Sequence, residues 1–358
     1  MVRGRRRRRL PGAAIACAAL MIGAAVFAAP GAADAPPPPP HKPPAESGSA
    51  EGPQPQAEPE PPGVPEIDHV EPINDRLQRV FVKSPAMGRT VQVQILLPAD
   101  RSTPRPTLYM LDGRSASNDY NNWIERGGAL NFFGDKNVNV VFTIGGPAGY
   151  YTDWQRPDPI LGKNMWETFL TKELPPLVDA TFGGNGSNAV EGVSMGAEAA
   201  MMLVMRNTKL YRGVAAHSGC YAMGSDIGQA QARAVVRTYG GEPDNMFGPQ
   251  EDPDWLAHDV MVNAEGLRGE TIYLSAGSGL PGVHDTAANP EYSPTSVTFG
   301  GPLEAASNAC TMALADRLSR MQIPAQVNLN PVGTHSWPYW ADELPRAWPT
   351  LAKALGTR

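Results

Sequence analysis

The chain has 358 residues and a formal charge of −6, with 30 Lys and Arg against 36 Asp and Glu. Six of the arginines lie within the first nine residues, so the rest of the chain is more acidic still. This balance excludes the basic surface on which nucleic-acid-binding proteins depend, and no nucleic-acid partner is expected.

The first 35 residues have the order of a secretory signal peptide. Arginines precede an apolar run from Ala13 to Ala29, and small residues follow it. The run is short for a membrane span and is followed by proline rather than a charged stop, which predicts cleavage between Ala28 and Ala35. The expected location is therefore outside the cell or in the cell envelope, after general or twin-arginine export.

Residues 36–65 are rich in Pro, Ala, Glu, Gln and Gly, and they begin with the run Pro36–Pro40. Such a segment cannot bury enough apolar surface to fold, which predicts an extended linker. In an exported protein it either holds the folded part away from a surface or carries it through a wall layer, and an inert tail is the alternative. Residues 66–358 are expected to form one catalytic domain, because they contain no repeat and no second linker.

The domain opens with a predicted hairpin, Val80–Lys83 and Thr90–Leu97, in which the second run alternates apolar and polar residues. Further β-rich runs lie at Thr107–Leu111, Val138–Ile144, Asn188–Val193, Gly213–Ala216, Thr271–Ala276 and Ala325–Asn330. Helices are predicted at Met165–Asp179, Ala197–Met205, Pro302–Met321 and Ala341–Leu355. An antiparallel entry followed by a mostly parallel sheet, covered by helices on both faces, predicts an α/β-hydrolase fold.

The segment Gly192-Val193-Ser194-Met195-Gly196 is the main catalytic candidate. It lies between a predicted strand and a predicted helix, the context in which a serine between two glycines occupies a strained, exposed turn. The helix would direct its N-terminal amides toward a developing oxyanion. Ser194 is therefore the predicted nucleophile.

A serine nucleophile needs a histidine base and an orienting carboxylate. His335 follows the last β-rich run and precedes the final helix, which is where this fold supplies its base. His41 and His69 lie in or beside the linker, and His217 comes too early in the chain.

His258 and His284 are each followed by aspartate, but no third spaced ligand accompanies them, so they are interpreted as solvated loop residues rather than as metal ligands. No metal and no cofactor is expected. The acid should lie between nucleophile and base. Spacing alone leaves Asp285, Glu291 and Glu304 open.

Cys220 and Cys310 remain after removal of the signal segment, which contains Cys17. Export to an oxidising compartment favours a disulfide between them, and two buried thiols are the alternative.

Several segments together resemble the mycolyltransferases of the antigen 85 complex family, in the esterase D-like branch of the α/β-hydrolases. The resemblance covers most of residues 78–350. Its motifs are Ser84–Arg89, Leu111-Asp112-Gly113, Asn118–Trp123, Gly145-Gly146, Tyr151–Trp154, Trp166–Leu170, Gly192–Gly196 and Gly333–Trp340.

The resemblance implies the acid, the oxyanion hole and the sugar contacts. The family's acid is a glutamate on the helix before the final strand, which favours Glu304 over Asp285. Its oxyanion hole implies the backbone amides of Met195 and Arg114. Its sugar contacts correspond to four residues: Asp112, Ser115, Ser336 and Trp337.

Two features of the sequence bear on those contacts. The family has an arginine at the position of Ser115, and Arg114, one place earlier, is the available substitute. Asp112 could instead cap a turn, and Trp337 could instead close the core.

The resemblance implies transfer of a mycolyl group from trehalose monomycolate to a second trehalose monomycolate or to cell-wall arabinogalactan, through an acyl-serine. A secreted serine carboxylesterase is the nearest alternative, since both reactions use the same triad. A noncatalytic adhesin on the same fold is the alternative from another class.

Overall fold

The computed structural model describes residues 63–289 and 292–357. The predicted signal peptide 1–35, most of the predicted linker (36–62) and Glu291 lie outside the described residues.

One nine-stranded sheet organises the described part of the chain. Its strands are β1 Glu66–Pro72, β2 Leu77–Ser84, β3 Arg89–Leu96, β4 Arg105–Leu111, β5 Asn139–Thr143, β6 Gly184–Val193, β7 Tyr211–His217, β8 Thr271–Ala276 and β9 Ala325–Leu329. They lie in the order β1-β2-β3-β5-β4-β6-β7-β8-β9. The pairs β1–β2, β2–β3 and β3–β5 are antiparallel and the remaining pairs are parallel, so the predicted fold class is confirmed.

Strand β1 lies at one edge of the sheet and was not predicted. Its sequence, EIDHVEP, is almost entirely exposed, so it lacks the alternation of buried and exposed residues that signals a strand. Its charges pair across to β2, where Lys83 Nζ lies 2.9 Å from Glu66 and 3.1 Å from Asp68. Charged side chains also discourage pairing of such an edge with another chain.

Helices fill the connections between the strands. They are α1 Asn122–Glu125, α2 Ala129–Phe132, α3 Trp166–Thr168, α4 Leu174–Phe182, α5 Met195–Arg206, α6 Asp226–Thr238, α7 Asp244–Phe247, α8 Asp254–Ala257, α9 Pro294–Thr298, α10 Gly300–Arg320 and α11 Trp337–Leu355, with a π-helical turn at Phe169–Glu173 and a 3₁₀ turn at Ala264–Leu267. The four predicted helices are present, the first of them divided by the π turn. No helix in this part of the chain is both long and apolar enough to cross a membrane.

Apolar side chains cover both faces of the sheet. Along β4, Tyr109 and Leu111 belong to the core beneath α5 and α10, whereas Leu108 and Met110 belong to the core beneath α11. This division follows from the strand geometry, because successive side chains point to opposite faces. Both layers fix the carboxyl ends of the parallel strands, where the candidate site lies.

A disulfide joins Cys220 to Cys310, with an S–S distance of 2.01 Å and a Cα–Cα distance of 4.9 Å. The predicted disulfide is thus present, rather than two free thiols. It ties the segment after β7 to α10, across 90 residues of sequence.

Candidate active site

Ser194 lies at the turn between β6 and α5, with φ 54° and ψ −122°. A positive φ is strained for any residue with a side chain and persists only where the surroundings hold it. Here the backbone N–H of Ser194 donates to the carbonyl of His217 at 2.8 Å. The geometry is that of a nucleophile turn, which presents the side chain above the sheet.

The two motif glycines allow this turn to pack against neighbouring backbone. A Cβ atom at Gly192 would lie 2.2 Å from the carbonyl oxygen of Gly196. One at Gly196 would lie 2.4 Å from the carbonyl oxygen of Asp112 and 2.9 Å from that of Leu111. Both positions therefore require glycine because main-chain atoms approach too closely for a side chain.

The structure brings the three predicted triad side chains together. His335 Nε2 lies 2.9 Å from Ser194 Oγ, and His335 Nδ1 lies 2.7 Å from Glu304 Oε2. The Glu304 residue is 2% exposed, and the His335 side chain is 9% exposed. This arrangement has the contacts of a nucleophile, a general base and an orienting carboxylate.

Asp285, the main alternative from the bare pattern, has partners other than the imidazole. Its Oδ1 accepts from the Thr334 hydroxyl at 2.9 Å, and its Oδ2 accepts from the Tyr339 hydroxyl at 2.6 Å. It anchors the loop that carries His335, while Glu304 makes the contact with the imidazole.

The predicted oxyanion donors flank the nucleophile. Met195 is the first residue of α5, and Arg114 follows Gly113, where a Cβ atom would lie 3.7 Å from that of Ser194. Within residues 63–289 and 292–357, no acceptor is paired with the backbone N–H of Met195 or Arg114. Both amides are thus available to a negatively charged oxygen, and their role stays a prediction.

Asp112 is 1% exposed and is bound within the protein. Its Oδ2 accepts from the backbone N–H of Asn122 at 2.9 Å and from the Asn122 side chain at 2.8 Å, and Oδ1 accepts from Gly113 N at 2.9 Å. Burial raises the pKa of this carboxyl, while the hydrogen bonds from Asn122 and Gly113 oppose the shift. These are the contacts of the turn-capping alternative, and the sugar contact stays a prediction. Asn122 belongs to a motif quoted above, but its role was not predicted.

The other predicted sugar contacts have different surroundings. Trp337 is only 7% exposed and packs edge-on against Trp123 and Trp340, at ring-centre distances of 5.4 and 5.2 Å. Its observed contacts are therefore those of the core-closing alternative. Ser115 is exposed and Ser336 is half-buried, so both remain candidates for ligand contact.

The interpretation of His258 as a solvated loop residue is wrong. The residue is 3% exposed, and its ring stacks at 4.1 Å on Phe247, the last residue of α7. Burial lowers its pKa, but hydrogen bonds to the Asp254 and Glu167 carboxylates outweigh that effect and raise the pKa overall. His284 is more open, with a side chain 28% exposed and Nε2 2.8 Å from Asp342.

Glu198, in the first turn of α5, is a buried acid that the sequence did not single out. Its Oε1 accepts from the Cys220 N–H at 3.1 Å and from the Gln231 side chain at 3.0 Å. Burial raises its pKa to about 8. Between the ordinary value of 4.5 and about 8 the folded state binds more protons than the unfolded state, so stability falls as pH rises through this window.

Glu198→Gln keeps the acceptor and removes the ionisation. We expect it to flatten the decline in the free energy of unfolding from pH 5 to 8, and to stabilise the protein at pH 8 by about 1–3 kcal/mol. Urea unfolding at several pH values measures both effects. Glu251→Gln, at an exposed position, is the matched control and should leave the pH dependence unchanged. Parallel curves for Glu198→Gln and the parent protein would contradict the prediction.

Comparison with known proteins assigns the family. A family model described as "Putative esterase" matches residues 84–351. The chain is 30% identical to diacylglycerol acyltransferase/mycolyltransferase Ag85B of Mycobacterium intracellulare, over 77% of this chain and 82% of that protein. It is also 30% identical to diacylglycerol acyltransferase/mycolyltransferase Ag85A of Mycobacterium tuberculosis, over 77% and 80% of the two chains.

Solved structures show the same fold. MPT51 (FbpC1) of Mycobacterium tuberculosis has a TM-score of 0.65 at 24% identity, covering 77% of this chain and 97% of that one. An S-formylglutathione hydrolase of Agrobacterium tumefaciens has a TM-score of 0.61 at 15% identity, covering 81% and 99%. The family match and the 30% identical relatives lead to one conclusion: the chain belongs to the esterase family and, within it, to the antigen 85 family of mycolyltransferases.

Proposed function

We propose that this protein is a serine acyltransferase that moves a mycolyl group from trehalose monomycolate to a second trehalose monomycolate or to cell-wall arabinogalactan. The observation that carries the proposal is the continuous contact from Ser194 Oγ to His335 Nε2 at 2.9 Å and from His335 Nδ1 to Glu304 Oε2 at 2.7 Å. The relatives named as mycolyltransferases support a mycolyl group as the group transferred. Trehalose as the donor sugar is inferred from the family resemblance.

Acylation begins when Ser194 Oγ attacks the ester carbonyl of the donor while His335 Nε2 takes the hydroxyl proton. The N–H groups of Met195 and Arg114 stabilise the negative oxygen of the tetrahedral intermediate. The bond between the carbonyl carbon and the sugar oxygen then breaks, and the imidazolium returns the proton to the departing trehalose. Glu304 stabilises the imidazolium throughout and keeps its Nε2 directed at the nucleophile.

Deacylation reverses these steps with a different alcohol. His335 removes the proton from an acceptor sugar hydroxyl, whose oxygen attacks the acyl carbonyl of the ester on Ser194. The bond to Oγ breaks and the serine regains its proton. Water in the place of the sugar would complete a hydrolysis instead, and the esterase family match makes this the second candidate function.

Action outside the cytoplasm is part of the proposal. The order of charged, apolar and small residues in the first 35 positions supports export, and the Cys220–Cys310 disulfide fits an oxidising compartment. The glycolipid and arabinogalactan substrates would be reached at the cell envelope.

Incubation of the purified protein with trehalose monomycolate tests the reaction. The proposal predicts trehalose dimycolate and free trehalose in equal amounts, separated by thin-layer chromatography and quantified by mass spectrometry. Free mycolic acid with no dimycolate would favour the carboxylesterase. If a fluorophosphonate probe does not label Ser194 and neither product forms, the noncatalytic adhesin becomes the better account.

A further inference from the structure

The two carboxylate oxygens of Glu304 have different partners. Oε2 contacts the imidazole, whereas Oε1 accepts from the backbone N–H of Gly277 at 2.6 Å and from the Ser218 hydroxyl at 2.7 Å. Gly277 directly follows β8 and Ser218 directly follows β7. The carboxylate is thus held from behind by the ends of two neighbouring strands.

The direction of the Ser218 hydrogen bond is fixed by its second partner. The indole N–H of Trp340 lies 3.0 Å from Ser218 Oγ. An indole N–H can only donate, and an ionised carboxylate can only accept. The single hydroxyl proton of Ser218 is therefore committed to Glu304. The Trp340 ring also packs edge-on against the His335 ring, with the ring centres 4.9 Å apart. The Trp340 side chain therefore contacts both Ser218 and His335.

The backbone holds Ser218 firmly in this place. The residue is 3% exposed, its φ is 58°, and its N–H donates to the carbonyl of Ser275 at 2.8 Å. Two residues later, Cys220 is joined to Cys310 on α10, the helix that carries Glu304. A covalent link therefore keeps the segment with the hydroxyl beside the helix with the carboxylate.

We propose that Ser218 is a positioning residue for Glu304, an inference that rests on the proposed triad. Its hydroxyl holds Oε1 so that Oε2 remains on His335 Nδ1 while the imidazole becomes charged. Among the hydrogen bonds of the described residues, none joins Ser218 to Ser194 Oγ or to His335, so it acts on the reaction through the carboxylate. Its loss leaves Oε1 held by the Gly277 N–H alone, which gives the carboxylate more freedom to rotate and loosens the orientation of the base.

Ser218→Ala tests this role and keeps the Cβ atom, so the strained backbone is unchanged. With p-nitrophenyl butyrate we expect kcat to fall about 10- to 100-fold and KM to stay within about twofold, because a charge-assisted hydrogen bond is lost away from the ester. Ser278→Ala is the matched control. It removes a hydroxyl donated to the Pro331 carbonyl at 2.7 Å on the same rim of the sheet, and kcat should not change.

A double-mutant cycle separates positioning from a general structural effect. In the Glu304→Gln background, Ser218→Ala should change kcat by less than about threefold, because its target carboxylate is already gone. An equal loss in both backgrounds, or full kcat for Ser218→Ala alone, would overturn the inference. If Ser218→Ala does not fold, Ser218→Gly, which also lacks the hydroxyl and suits a φ of 58°, takes its place in the cycle and is judged by the same two outcomes.

The proposed function can fail separately. Full activity of Ser194→Ala would reject the triad itself, whatever Ser218 does. An inactive Ser194→Ala together with an unaffected Ser218→Ala would reject the positioning role alone.

Discussion

Ser194→Ala is expected to lower kcat for acyl transfer by about 10⁴- to 10⁶-fold, the range found when a triad nucleophile is removed. Only Oγ is lost. Serine and alanine both have a Cβ atom, so the backbone strain at the positive φ is the same in both proteins. The free energy of unfolding should therefore change by less than about 0.5 kcal/mol. Rates measured with p-nitrophenyl butyrate and urea unfolding curves check the two statements together.

Ser187→Ala is the control for this substitution, because Ser187 lies near the beginning of β6, at the opposite end of the strand from Ser194. It should retain the parent rate. Substantial activity in a folded Ser194→Ala protein would mean that another group attacks the ester.

Gly196→Ala is expected to destabilise the protein by about 2–4 kcal/mol and to abolish most of its activity, because its new methyl group overlaps fixed main-chain atoms. A Cβ atom there would lie 2.4 Å from the Asp112 carbonyl oxygen, and neither the helix nor the strand end can move aside without displacing Ser194. Thermal unfolding and the initial rate measure the effects.

Gly183→Ala supplies the comparison. Gly183 has φ 66°, and among the described residues no atom comes within 4 Å of the place that its Cβ atom would take. Alanine there meets backbone strain without overlap and should cost about 1–2 kcal/mol, with activity kept. Equal effects of the two substitutions would show that close approach is not what requires glycine at position 196.

The sequence was most informative where a local pattern determines a local structure. The apolar runs at β4 to β8 and the helix after Ser194 could be read from periodicity, and the glycines around Ser194 identified the turn. β1 was not predicted, because most of its residues are exposed and its sequence therefore has no alternation of apolar and polar residues.

Local sequence patterns do not determine which carboxylate contacts His335. Asp285 and Glu304 both precede His335, and their spacing does not reveal which faces it. Packing decides this: Asp285 is occupied by Thr334 and Tyr339, while α10 brings Glu304 to the imidazole. Only the family resemblance favoured Glu304 before the structure.

Contacts between segments that are distant in sequence could also not be predicted. The burial of His258 depends on stacking with Phe247 and on contact with the Glu167 carboxylate, both distant in sequence, in addition to Asp254 one turn before it. The aspartate that follows it in the sequence was therefore a poor guide. Ser218 gave one usable signal, its position directly after β7 at the same rim as Ser194. In parallel sheets that rim is where sites form, so residues following each strand merit inspection.

The most direct test of the account is to quench the protein during turnover of an acyl ester and to locate the acyl group by peptide mass spectrometry. We expect one acyl group on the peptide containing Ser194, and accumulation of this adduct when the acceptor sugar is withheld. Turnover without any adduct at Ser194, or an acyl group on another residue that forms and decays at the catalytic rate, would contradict it.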